Sequence, residues 1–109
     1  MNLAAMNHPL QLGTISVDAG ALAELCKRYH VRELSLFGSA ARGEMHSGSD
    51  IDLLVEFFPE AKVDLFDYSG LMLDLSKLIG RKVDLVSKKG LKPLIRESVL
   101  HEARPVYAA

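Results

Sequence analysis

Residues 36–57 read Leu36-Phe37-Gly38-Ser39-Ala40-Ala41-Arg42-Gly43-Glu44-Met45-His46-Ser47-Gly48-Ser49-Asp50-Ile51-Asp52-Leu53-Leu54-Val55-Glu56-Phe57, and this stretch decides the architecture. Its two ends are strands. Residues 33–37 are short, apolar-rich and stopped by Gly38. Residues 50–57 form the second strand, which Pro59 ends. Strand side chains alternate between faces, so Asp50 and Asp52 project together while Ile51, Leu53 and Val55 turn the other way into a core. Leu54 and Glu56 share the face of the two carboxylates, which is therefore only partly polar. Between the strands, 38–49 reads as a loop rich in Gly, Ser and Ala.

Working outward, Ser16 or Asp18 can cap a helix whose buried side carries Leu22, Leu25, Cys26 and Tyr29. Residues 65–79 form the strongest helix. Tyr68, Leu71, Met72, Leu75, Leu78 and Ile79 make its apolar stripe, and Gly80 stands where a C-terminal cap belongs. Residues 82–86 are a third strand. A last helix covers about 92–103 with Pro93 in its first turn, and 104–107 adds a short edge strand. Residues 1–15 show no clear period and are expected to be an arm preceding a domain over 16–109. The order helix, strand, strand, helix, strand, helix implies an α/β (α+β) domain, a small mixed sheet flanked by helices.

The bulk composition narrows the function classes. At 109 residues, 49% hydrophobic, the chain supports one core and no second domain. A formal net charge of −1 removes the general electrostatic reason to bind nucleic acid. With four Phe, three Tyr and no Trp, a base-stacking surface is not expected either. The lone Cys26 cannot close an internal disulfide, which fits a reducing cytoplasm, and its place on an apolar helix side reads as core. No apolar run is long enough to span a bilayer, and 1–13 does not read as a signal peptide.

Chemistry concentrates in the opening stretch. Two adjacent carboxylates repel one another unless a cation lies between them. Mg²⁺ prefers such oxygens and commonly shares its remaining coordination with substrate phosphates. Gly38 has no Cβ, so a ligand can approach its backbone closely. Ser39 offers a hydroxyl and an N–H to phosphate oxygens, and Arg42 adds a permanently charged planar donor. A phosphate grip beside a metal-binding carboxylate pair is what transfer from a nucleoside triphosphate requires.

The combined pattern, Gly38-Ser39, ten residues, then Asp50-Ile51-Asp52, resembles the signature of the nucleotidyltransferase superfamily related to DNA polymerase β. The flanks Leu36-Phe37, Ala41-Arg42-Gly43 and Ser49 to Val55 match as well. At this length the chain is similar to the minimal nucleotidyltransferases, the antitoxin partners of HEPN-domain toxins, over about 16–107. The resemblance implies a polymerase β-like nucleotidyltransferase fold. It implies that Gly38 and Ser39, with Arg42, hold the triphosphate of ATP. Asp50 and Asp52 would ligate two Mg²⁺ ions, and Asp84, between Val83 and Leu85, would be the third carboxylate, binding the second ion and helping to deprotonate the acceptor. It implies a protein adenylyltransferase that places AMP on a Tyr of a HEPN ribonuclease toxin, in a hetero-oligomer with that toxin. The short chain, without the extra domain of larger relatives, fits a protein acceptor.

Two other classes compete with this reading: an antitoxin that acts by complex formation alone, and a transferase for a small molecule of the aminoglycoside kind. Arg96 and His101 have the Arg-x4-His spacing of a HEPN ribonuclease, but Ala103 replaces its final aromatic residue and the mixed pattern disagrees with an all-helical fold. His46 reads as an exposed loop residue, and Lys88, Lys89 and Lys92 as a solvated face.

Overall fold

A computed structural model describes residues 9–109. The chain begins with a hairpin, β1 (Pro9–Leu12) and β2 (Ile15–Asp18), followed by α1 (Ala19–Arg28), β3 (Val31–Phe37), the short α2 (Gly38–Arg42) and β4 (Ile51–Phe57). Then come α3 (Leu65–Ile79), β5 (Val83–Ser87), a 3-10 turn (Lys88–Gly90), α4 (Pro93–Glu102) and β6 (Arg104–Ala108). The main sheet has four strands in the order β5-β4-β3-β6. β3 runs antiparallel to β4 and β6, whereas β4 and β5 are parallel, so the sheet is mixed as expected. The parallel step is possible because α3 supplies the long crossover that such a pair needs.

Alternation along β4 builds the core as anticipated. Ile51, Leu53 and Val55 are fully buried and join Leu71, Leu75 and Ile79 of α3 and Leu22, Leu25 and Cys26 of α1 in one cluster. The opposite face is less polar than its carboxylates suggest, since Leu54 is buried there too. Helix ends follow their local chemistry. Asp18 caps α1 by accepting from the Gly20 N–H at 3.0 Å. Asp64 and Asp67 exchange side-chain and backbone hydrogen bonds in a capping box at the start of α3, and Gly80 closes it in the left-handed conformation. The burial that makes Cys26 core also pushes its thiol up to about 12, so it stays unreactive.

The segment 9–15, expected to be part of an arm, is ordered strand and turn instead, while residues 1–8 of that arm lie outside the described residues. Leu10 pairs with Val17 and Leu12 with Ile15, which puts all four apolar side chains on one face of the hairpin. Gly13, at φ +64°, meets the positive φ of the two-residue turn. Leu12 is fully buried, so Leu12→Ala is expected to destabilise the domain by about 2–5 kcal/mol in denaturant unfolding. A loss below about 0.5 kcal/mol would mean that the hairpin contributes nothing to the core. Residues 38–42, expected as loop, wind into α2, because Ala40 and Ala41 favour helix and bury their methyl groups. Among the described residues no helix is long and apolar enough to cross a membrane.

Candidate active site

β3 delivers the chain to Gly38 directly beside the outward face of β4. Phe37 pairs with Asp52 across the two strands, which brings Gly38 under the Asp52 carboxylate. The approach is close enough that a Cβ on Gly38 would lie 2.1 Å from Asp52 Oδ2 and 3.1 Å from its Cβ. Gly38 also sits at φ +73°, where side-chain-bearing residues are strained. Both constraints permit only glycine there, for a reason of contact and a reason of backbone.

On the other side of β4, Asp52 pairs with Asp84 of β5 in parallel register, so both lie on one sheet face. Asp50 precedes β4 on the same parity. Its Oδ2 lies 4.0 Å from the Lys82 ammonium, and the two side chains are 46% and 79% exposed. The two members of the Asp-x-Asp pair are therefore unlike. Asp52 has its pKa raised, first by burial, then by the charges of Asp84 and Asp50, with Arg42 opposing the shift. A half-buried carboxylate with like charges beside it is a place where a cation is favoured.

An all-oxygen donor set of this kind suits Mg²⁺. Among the described residues no three His, Cys, Asp or Glu side chains converge enough to hold a metal by themselves. That agrees with the habit of Mg²⁺, which uses one or two carboxylates and takes its other ligands from phosphates and water. Asp52 with Asp84, its register partner on the same sheet face, is the pair whose oxygens suit such an ion, the remaining ligands coming from outside the chain.

Contacts made by Glu102 and Arg81 around the site were not legible in the sequence. Glu102, the last residue of α4, accepts from the Gly38 N–H at 2.8 Å. It also accepts from Arg42 at 3.2 and 3.3 Å, and Arg42 Nε donates to Glu44 at 3.0 Å. Arg42 thus faces two carboxylates. Arg81 donates to the Ser49 carbonyl and, at 3.0 Å, to the His46 carbonyl, clamping the loop that leads into Asp50. His46 is exposed on that loop, as expected, its Nδ1 accepting from the Gly48 N–H at 3.2 Å. The partners of Glu102 and Arg81 lie tens of residues away in sequence, so no local spacing announces them. Farther off, Lys88 pairs with Glu56 at 3.5 Å and Arg96 donates to the Lys88 carbonyl at 3.2 Å. Lys88 is therefore half-buried and paired, unlike the solvated face expected of the basic run, while Lys89 and Lys92 are exposed.

The chain matches the nucleotidyltransferase domain family over residues 20–106. It is similar to the protein adenylyltransferase MntA of Thermococcus cleftensis, 44% identical over 79 residues that cover 72% of this chain and 78% of the relative. A solved structure of a candidate minimal nucleotidyltransferase is 45% identical, with a TM-score of 0.68 over 80% of this chain and 87% of that one. The fold also recurs in a complex of a tri-AMPylated Shewanella oneidensis HEPN toxin with an MNT antitoxin. There the TM-score is 0.60 at 18% identity, covering 84% of this chain and 70% of the other.

Proposed function

The chain belongs to the nucleotidyltransferase domain family, and from that premise we propose that it transfers AMP from ATP to a hydroxyl of a partner protein. The observation that carries this reading is the contact between Gly38 and Asp52, which sets the Gly38-Ser39 backbone directly against the carboxylates of the strand pair. Gly38 and Ser39 hold the β and γ phosphates through backbone N–H groups and the Ser39 hydroxyl. Asp50, Asp52 and Asp84 would hold two divalent ions, which when bound neutralise phosphate charge and favour the ionised acceptor hydroxyl. Asp84 lies on the same face and helps take the acceptor proton. The acceptor oxygen attacks the α-phosphorus in line, the bond to the bridging oxygen breaks, and pyrophosphate leaves.

A protein acceptor is supported by the named activity of the Thermococcus relative. A HEPN-fold toxin as that partner, within a hetero-oligomer, is supported by the shared fold of the complex with a tri-AMPylated toxin, and a Tyr as the acceptor is what the family resemblance implies. The cytoplasm is the proposed setting, supported by the buried free thiol of Cys26. The test uses ATP labelled at either the α or the γ phosphate, with the chain, Mg²⁺ and the purified partner. Label from the α position alone is expected on the partner. Label from the γ position would make the enzyme a kinase. No label, with the toxin nevertheless silenced, would favour an antitoxin that acts by complex formation.

A further inference from the structure

The Glu102 carboxylate stands at an unfavourable place by local rules. It closes the C-terminal turn of α4, where the carbonyl end of a helix repels an anion. Its side chain is nevertheless only 26% exposed, held across the site by two groups from a distant part of the chain. One is the Gly38 N–H at 2.8 Å and the other is the Arg42 guanidinium, which reaches both carboxylate oxygens at 3.2 and 3.3 Å. A backbone N–H beside one charged guanidinium nitrogen, Arg42 Nη1, is a donor set that a phosphate oxygen can take as readily as a carboxylate. Gly38 belongs to the grip that the proposed function assigns to the triphosphate, and Arg42 ends the short helix that Gly38 begins.

We propose that the Glu102 carboxylate is an internal anion that occupies a phosphate position in the free protein and is displaced when a nucleoside triphosphate binds. The proposal rests on the reading of Gly38-Ser39 as the triphosphate grip. Glu102 keeps the Gly38 amide and Arg42 arranged for an anion while the nucleotide is away. It then withdraws, because two anions cannot share one set of donors. Apparent nucleotide affinity is lowered by the fraction of molecules in which the carboxylate is seated.

The experiment is calorimetric titration of the full chain with a non-hydrolysable ATP analogue and Mg²⁺, repeated with inorganic triphosphate. The variants are Glu102→Ala and Glu102→Gln. Glu102→Ala is expected to bind both probes roughly 10-fold more tightly, within the usual range of site coupling. Glu102→Gln is expected to move the same way by less, because its amide oxygen still accepts from Gly38 while the charge facing Arg42 is gone. Being nearly isosteric, it also decides the matter if the Ala variant does not fold. A residue that merely braces the turn predicts weaker binding in both variants. If the wild-type chain binds the probes and neither variant binds more tightly, the displacement by nucleotide is overturned and the grip stands. If the wild-type chain binds neither probe, the reading of Gly38-Ser39 fails, and the role of Glu102 fails with it.

Discussion

Asp52→Asn is expected to lower AMP transfer by about 10²- to 10³-fold, the usual consequence of removing one electrostatic support from a transferring group, and at the same time to raise the melting temperature. The two effects share a cause. Burial and the neighbouring charges of Asp84 and Asp50 raise the Asp52 pKa in the folded chain. Its ionisation therefore opposes folding: the stability is fully present below the unfolded-state pKa, about 3.9 for Asp, and is lost as pH rises through the higher folded value. Asn carries no charge, so the variant avoids that loss at neutral pH and gains nothing in acid, where Asp52 is protonated in both states. Thermal melts of both proteins as a function of pH check this directly. A variant that is inactive and also less stable at neutral pH would show that Asp52 braces the fold and is not a strained ligand.

Gly38→Ala is the second large effect. Left-handed backbone costs a residue with a Cβ roughly 1–2 kcal/mol, before any clash is counted. Here the new methyl would meet Asp52 Oδ2 at 2.1 Å and Asp52 Cβ at 3.1 Å. The oxygen can rotate away, but the Cβ is fixed by the strand, so Asp52 is driven out of its position. A loss of transfer at least as large as that of Asp52→Asn is expected, now accompanied by a lower melting temperature. Gly80→Ala is the matched control. Gly80 has φ +77° and nothing within 4 Å of a Cβ, so that variant carries the strain without the collision and should keep its activity. Equal activity losses in the two variants would assign the effect to backbone strain alone.

How much of this was legible in the sequence depended on the range of the interaction. The alternation of Ile51, Leu53 and Val55 against Asp50 and Asp52 is a local property of one strand, and it placed the carboxylate face correctly. The apolar stripe and Gly80 stop of α3 are local too, and its limits of 65 and 79 hold to the residue. The hairpin was missed although its signal was present. Leu10, Leu12, Ile15 and Val17 alternate about a Gly-Thr turn, but strands of four residues are too short to stand out from an irregular arm. Strand parity treated Asp50 and Asp52 as equivalents. Only the sheet separates them, by covering Asp52 and leaving Asp50 beside Lys82. Glu102 and Arg81 could not have been found by spacing, since their partners Gly38 and Ser49 lie 64 and 32 residues away.

The most direct test of the central claim is the intact mass of the partner protein after co-expression with the chain. Co-expression with the wild-type chain should add the mass of one or more adenylyl groups, placed on Tyr by peptide mapping, and Asp52→Asn should leave the partner unmodified. An unmodified partner beside the wild-type chain, or equal modification beside both, would contradict the assignment of AMP transfer to this site.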